Sequence, residues 1–331
     1  MLKTVLKTAA IALALAAPAQ AREMRVSSHE PQQGFYSAKI LQAWIDQINP
    51  KLSDDNKFKL YPGAILGAPP AQAQLVKAGV ADISLVVPTY TPGLFPMSGV
   101  VEVPAIAQSS KQGTKILNAL AEQGALDKEY GDYKIIALFT TPGYRFLMSG
   151  EGARTPDDIK GKKLRAPSQF GSVLLGMVGA AGVSLPAPQV YENLERGVVA
   201  GAVWVMDAYR TFRLDEVATS IVTTRFTAQP MAILMNKETY ASLPEADRAV
   251  LDSMSGAKTA EWIAGVVDAA DASIEADYRA AGKVDFIELT EAEQAKWDAA
   301  LSGAADKWVE TQADPENARK ALETARTISA E

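Results

Sequence analysis

The chain has 331 residues, a formal net charge of −6, one histidine and no cysteine. The lack of cysteine excludes disulfides, thiol catalysis and thiolate metal sites, and a single histidine excludes a multi-histidine zinc centre. An acidic chain without a Lys/Arg tract is also a poor partner for nucleic acid or an anionic membrane surface.

The first stretch, MLKTVLKTAAIALALAAPAQA, has a positive start in Lys3 and Lys7, an apolar run from Ala9 to Ala17 and a small-x-small end at Ala19-Gln20-Ala21. That is the pattern of a secretory signal peptide cleaved after Ala21, too short for a membrane span and broken by Pro18. Its removal takes the net charge from −6 to −8, and no later run is long and apolar enough to cross a bilayer. The expectation is an exported, periplasmic protein without direct membrane insertion.

The mature chain then alternates strands and helices. EMRVSS reads as a strand, and YSAKILQAWIDQINP as an amphipathic helix with Ile40, Leu41, Trp44, Ile45 and Ile48 on one face, ended by Pro50. FKLYPG is a strand, APPAQAQLVKAG a helix stopped at Gly79, and ADISLVVPT a buried strand. This β-α-β-α-β order predicts a mainly parallel sheet covered by helices. The pattern repeats in kind: TKILNALAEQGAL is helical, and YKIIALFTT and YRFLMSG are strands. In TPDDIKG, Thr155 is an N-cap, Pro156 the first helical position and Gly161 the stop. KKLRAP is a strand, GSVLLGMVGAAG a helix, VSLPAPQVYENLERG a strand, loop and short helix, and VVAGAVWVMDA strand-like. Ala257 to Gly282 runs without Pro, which predicts a helix about 39 Å long, enough to span two lobes. Two further helices finish the chain.

No nucleophile elbow, phosphate loop, H-E-x-x-H pair or EF-hand is present. His29 is the only histidine a catalytic triad could use, and it reads more simply as a loop residue. Asp157 and Asp158 read as first-turn charges complementing the helix dipole, Asp54 and Asp55 as loop charges. The expectation is a binder and not an enzyme, with no cofactor and no metal. Two arginines stand out. A guanidinium is permanently charged and its planar fork matches a carboxylate. By chemistry alone Arg145 and Arg165 are open between a solvated surface and an anion clamp. Both lie between apolar neighbours, and Arg165 is at a strand end, where open α/β sheets place ligands.

At this point the residues carry a resemblance. YPGAILGAPPAQAQLVKAGVADISLVVPTYTPGLFPMSGVVEVP, TPDDIKGKKLRAPSQ and AAGVSLPAPQVYENLERGVVAGAVW follow one another as in the solute-binding proteins of tripartite ATP-independent periplasmic (TRAP) transporters, the dicarboxylate-type family. The resemblance covers nearly all of the mature chain. It implies an α/β, two-lobed periplasmic binding protein-like fold with mixed sheets and a long helix spanning both lobes. Residues 22–140 plus about 230–270 would form lobe I; residues 141–229 plus about 271–331, with the C-terminal helices, would form lobe II. The chain would cross near Phe139–Gly143 and return near Ala228–Met231. The implied function is capture of a carboxylate-bearing organic acid between the lobes, and delivery to the membrane permease subunits of a TRAP transporter. Arg165 matches the family's carboxylate-binding arginine, and Arg145 its second, more variable one. The chain departs from the pattern at Ala200-Gly201, where many relatives have Asp-Gly, and at Trp204, where some have Asn. Trp204 is therefore read either as a stacking partner for the ligand body or as a core tryptophan, with Asp207 as a polar partner nearby. Tyr90 falls in a loop where relatives line the cleft, and His29, Gln33 and Tyr36 follow the first strand in the same sense. The alternatives are an extracytoplasmic ligand-sensing subunit for a signalling partner, and an exported hydrolase with an unrecognised carboxylate pair.

Overall fold

The computed structural model describes residues 22–331; the segment read from the sequence as a signal peptide lies outside them. Two mixed sheets organise the chain. The first has five strands, β1 (Arg22–Ser27), β2 (Asn56–Tyr61), β3 (Ile83–Val86), β4 (Tyr133–Thr140) and a later strand, β10 (Pro230–Asn236), in the order β2-β1-β3-β10-β4. The second has six: β5 (Arg145–Met148), β6 (Lys163–Ala166), β7 (Ala181–Ser184), β8 (Gly201–Trp204), β9 (Ser220–Val222) and β11 (Asp285–Ile287), in the order β11-β9-β5-β8-β6-β7. The alternating β and α segments make β1, β2 and β3 parallel, as the sequence predicts. The returning strand β10 enters antiparallel between β3 and β4, and β5 is antiparallel to both β8 and β9. These two strands follow the lobe crossings, which turn each sheet from parallel to mixed.

The crossings are themselves paired. Thr141 N–H donates to Gln229 O at 3.0 Å, Tyr144 N–H to Thr227 O at 2.6 Å and Phe226 N–H to Tyr144 O at 2.8 Å. The hinge is thus a two-stranded ribbon whose backbone groups satisfy one another. The third link is the helix Ala257–Ala281. Thr259, Ala260, Ile263, Ala264, Val267, Asp271 and Ile274 form its buried face at helical spacing. Gly282 stops it with φ +63°, a left-handed value that glycine takes without strain. The N-terminal half packs on β4 and on the helix Ser110–Glu122; a later turn meets the short helix Met206–Thr211 of the second lobe.

Three local expectations change. The first helix begins with wide turns over Tyr36–Leu41 before regular α-helix over Gln42–Ile48, and the buried Glu30 carboxyl accepts its first N–H groups, those of Tyr36 at 2.7 Å and Ser37 at 3.3 Å. The apolar run VVAGAVWVMDA is strand only over Gly201–Trp204; Met206 N–H donates to Asp271 of the long helix at 3.2 Å and the chain turns helical. The last helix, Pro315–Ser329, which the resemblance assigns to lobe II with the other C-terminal helices, lies against Ser110–Glu122 of the first lobe, and Ser329 donates to Ile106 O at 2.5 Å. Its apolar stripe finds its cover there. Gly201, in the Ala-Gly departure, is held by close approach: a Cβ there would lie 2.8 Å from Leu147 O and 2.6 Å from Met148 Sδ.

Candidate functional site

Local chemistry fixes where Arg165 stands. Thr155 and Asp158 form a reciprocal capping box on the turn Pro156–Ile159, and Gly161 at φ +73° releases the chain into β6. Ser168 then caps the helix Gln169–Met177, accepting Gly171 N–H at 2.8 Å. Arg165, one residue before the end of β6, is 1% exposed. Its Nε donates to Leu185 O at 3.1 Å, Nη1 to Val203 O at 3.1 Å and Nη2 to the Tyr90 hydroxyl at 3.2 Å. The first two partners belong to the second lobe and Tyr90 to the first, so the guanidinium bridges the lobes. It also lies 4.3 Å from the ring centroid of Trp204, which stacks on Phe212 at 5.2 Å and 19°. Three of five N–H donors are used, leaving one on each terminal nitrogen. No acidic side chain among the described residues pairs with it.

Around this cation lie polar groups from both lobes. The His29 and Tyr90 rings meet edge-on at 6.3 Å. Burial pushes His29 down to about 4, so it is neutral. Asp207, fully buried at the start of Met206–Thr211, is pushed well above the carboxylate range by burial, then by the charges of Glu30 and Asp271. Tyr36 and Tyr144 are likewise raised by burial; Tyr36 feels Asp207 and Tyr144, while Arg165 pulls Tyr144 down. Burial raises Glu30 to about 7 despite its two backbone donors. Two buried polar atoms here have no partner: His29 Nδ1 and the Tyr36 hydroxyl.

Of the residues named from sequence, Arg165, Trp204, Tyr90, His29, Tyr36 and Asp207 share this cluster. Gln33 is exposed in the turn before it. Arg145 sits on the same sheet face, opposite Trp204, but is engaged elsewhere. Its Nη1 and Nη2 donate to Asp271 at 3.1 and 2.9 Å, and Nη2 to Glu275 at 2.6 Å, tying β5 to the long helix. Sequence reasoning passed over Glu30, Phe212 and Glu102. Glu102 is a lone carboxyl in the apolar run FPMSGVVEVP, which was the available signal. It is 3% exposed, accepts from Ser168 across the lobes and from Gln229 at 2.8 Å, and burial raises it to about 8. A hollow of about 230 Å³ lies beside this contact, between Thr89 and Phe170; a larger one of about 820 Å³ opens under the C-terminal helices and is lined by none of the Arg165 cluster.

Two lobes, a paired hinge and a buried cation between them define a cleft-closing binding protein. The model of bacterial extracellular solute-binding protein family 7 matches residues 27–312, and the chain belongs to that family. Among its relatives is a solute-binding protein of Albidiferax ferrireducens, 25% identical over 297 residues, 84% of each chain. A TRAP solute-binding protein from a marine metagenome, specific for aromatic acid ligands and solved with 3-hydroxybenzoate, superposes with a TM-score of 0.88 at 25% identity, covering 94% of this chain and 98% of that one. One from Roseobacter denitrificans, solved with β-D-glucuronate, does so with 0.80 at 19% identity, covering 92% and 99%. The protein is a TRAP-type solute-binding protein with the expected two-lobed α/β fold; these findings fit transport and not the sensing alternative. No helix among the described residues is long and apolar enough to cross a membrane.

Proposed function

We propose that this protein, after export and signal-peptide cleavage, captures a small organic acid with an aromatic body between its lobes and hands it to the permease subunits of a TRAP transporter. One observation carries the reading: Arg165 is a buried guanidinium with no acidic partner among the described residues. An unpaired charge out of water costs several kcal/mol, and an arriving carboxylate on the two free N–H groups offsets that cost. Arg145, whose charge Asp271 and Glu275 already meet, is frame and not clamp. The aromatic body is supported by the walls, Trp204, Phe212, Tyr90 and Tyr144, and by the aromatic-acid specificity of the metagenome relative. Glucuronate in another relative of the same fold means that side chains, and not the fold, choose the ligand.

Closure follows from contacts on both lobes, because a ligand shifts the equilibrium only by its differential affinity for the closed form. Tyr90 with Arg165, Glu102 with Ser168, and Phe35 N–H with the Thr211 hydroxyl at 3.3 Å are the protein's own share of that closed form. Binding without turnover fits the absence of any catalytic motif in the sequence. The test is mass spectrometry of ligand released by denaturing the purified protein, with a thermal-shift panel of organic acids. An intact aromatic acid that also raises the melting temperature is expected. A bound molecule without a carboxylate, or one consumed by the protein, would overturn the reading.

A further inference from the structure

Glu102 is a buried carboxyl whose charge the capture of a ligand at Arg165 leaves unused. It ends the turn Met97–Glu102 of the first lobe and is 3% exposed. One oxygen, Oε1, accepts from the Ser168 hydroxyl of the second lobe and from Gln229 Nε2 of the returning hinge strand at 2.8 Å. Neighbours set the direction of both bonds. Gln229 Oε1 accepts the Thr89 hydroxyl at 2.6 Å, which turns its amide nitrogen to Glu102; Ser168 Oγ accepts Gly171 N–H at 2.8 Å, which leaves its own proton for Glu102. The other oxygen, Oε2, lies beside Gly99, where a Cβ would be 3.4 Å from it and 3.3 Å from Trp308 Nε1. Among the described residues Glu102 is the one ionisable side chain lining the hollow of about 230 Å³ at this contact, and Ser168, Phe170 and Val173 form its second-lobe wall.

No cation among the described residues pairs with this carboxyl. Ser168–Met177 and Thr227–Gln229 hold no ionisable side chain, and Arg225 before them is exposed. In Pro88–Pro96 the only ionisable group is Tyr90, which bonds Arg165. Glu129 meets Met97 and Ser98 at the far end of the same turn, wholly within the first lobe, so closure leaves it unchanged. Lys111, Lys115 and Glu122 of the helix Ser110–Glu122 are exposed, as are Asp306, Lys307 and Glu310 of Ala304–Glu310. So are Glu316, Arg319, Lys320, Glu323 and Arg326 of the last helix. A carboxylate held out of water by neutral donors alone is disfavoured as the ion, and burial raises Glu102 from 4.5 to about 8 despite its two hydrogen bonds. Separating the lobes withdraws Ser168 and Phe170 and opens the hollow to water, which returns the carboxyl toward its ordinary value. The neutral acid therefore belongs to the closed form. The chain itself ties this contact to capture: Thr89 adjoins Tyr90, and Ser168 follows Arg165 by three residues, so Glu102 joins the same two segments as the clamp.

We propose that Glu102 is a positioning residue for capture: as a ligand draws Arg165 and Tyr90 together, its carboxylate takes one proton from solvent and seats as the neutral acid against Ser168, and reopening returns that proton. This rests on carboxylate capture by closure, the reading above. Because the group holds its proton more tightly closed than open, affinity is whole at low pH and falls as pH rises toward 8, by at most about tenfold per pH unit for one proton. The ligand carboxylate and Arg165 stay charged throughout pH 6 to 8. The test is titration calorimetry of the exported chain with benzoate at pH 6 and pH 8, and at pH 7 in two buffers of different ionisation heat, which counts protons. If benzoate gives no heat, the titrant is the organic acid that raises the melting temperature most. Wild type is expected to take up about half a proton or more, and to bind about 5- to 50-fold more weakly at pH 8 than at pH 6. Glu102→Gln, an isostere of the neutral acid, should bind nearly alike at both pH values and lose most of the uptake. A merely structural role would shift affinity equally at both. Phe170→Ala keeps Glu102 but admits water through the second-lobe wall; it should also lower the uptake, and it decides the matter if the Gln variant fails to fold. Binding without proton uptake in wild type overturns the coupling and leaves capture standing. Uptake that survives Glu102→Gln and vanishes in Asp207→Asn or Glu30→Gln also overturns it. If no organic acid on the panel binds, capture itself falls and takes this inference with it.

Discussion

Replacing Arg165 separates the clamp from its scaffolding. In Arg165→Lys a compact ammonium replaces a planar fork. It has three donors for the Leu185 and Val203 carbonyls, the Tyr90 hydroxyl and any ligand oxygens, and no fixed plane in which to present two of them together. In Arg165→Met the charge disappears and both carbonyls lose a charged donor, at about 1–3 kcal/mol each. That loss is offset by removal of an unpaired buried cation, so stability without ligand should change far less than affinity. The lost carboxylate pairing is worth about 2–5 kcal/mol, or about 30- to 5,000-fold in Kd, with Met losing more than Lys. Titration calorimetry with the acid recovered from the protein gives the affinity, and thermal unfolding without ligand gives the stability. A Kd for Arg165→Met close to the wild-type value would refute the argument, because Arg145, the other guanidinium on this sheet face, is already held by Asp271 and Glu275.

Three more outcomes follow. Trp204→Ala removes both the platform under the guanidinium and the partner of Phe212, so affinity should fall more for aromatic than for succinate-like acids; equal losses across a ligand panel would count against an aromatic wall. Arg145→Met leaves Asp271 without its cation and Glu275 with Arg279 alone, and unfolding should show a loss of about 3–5 kcal/mol with ligand affinity of the folded protein little changed; the reverse pattern would return Arg145 to the ligand site. Glu102 carries a pH signature. Its carboxyl is raised from 4.5 to about 8 in the folded protein, so the unfolded chain ionises first, and this contribution is whole below about pH 4.5 and lost as pH rises toward 8. Glu102→Gln, which cannot ionise, should gain on the wild type across that window by at most about 1.4 kcal/mol per pH unit, read from denaturant unfolding at pH 5 and pH 8. A difference independent of pH would show that Glu102 is ionised throughout.

Much of this molecule is legible along the chain. The capped turn at Thr155, the glycine stops at Gly161 and Gly282, the long helix and the strand-helix alternation all rest on interactions within a few residues, where propensity, capping and periodicity act. The sequence alone therefore determines that Arg165 ends a short, well-positioned strand. It does not determine what each charge will face. Arg145 and Arg165 have similar apolar flanks, yet one meets Asp271, 126 residues away, and the other meets Tyr90, 75 residues away and on the other lobe. Periodicity likewise shows that the last helix has an apolar stripe but not which lobe covers it, and Glu102 looks like an intruder in a hydrophobic run until Ser168 arrives from across the cleft. A side chain's local pattern sets which way it points; only the packing of distant segments decides whether a buried charge is neutralised at home or left for a ligand.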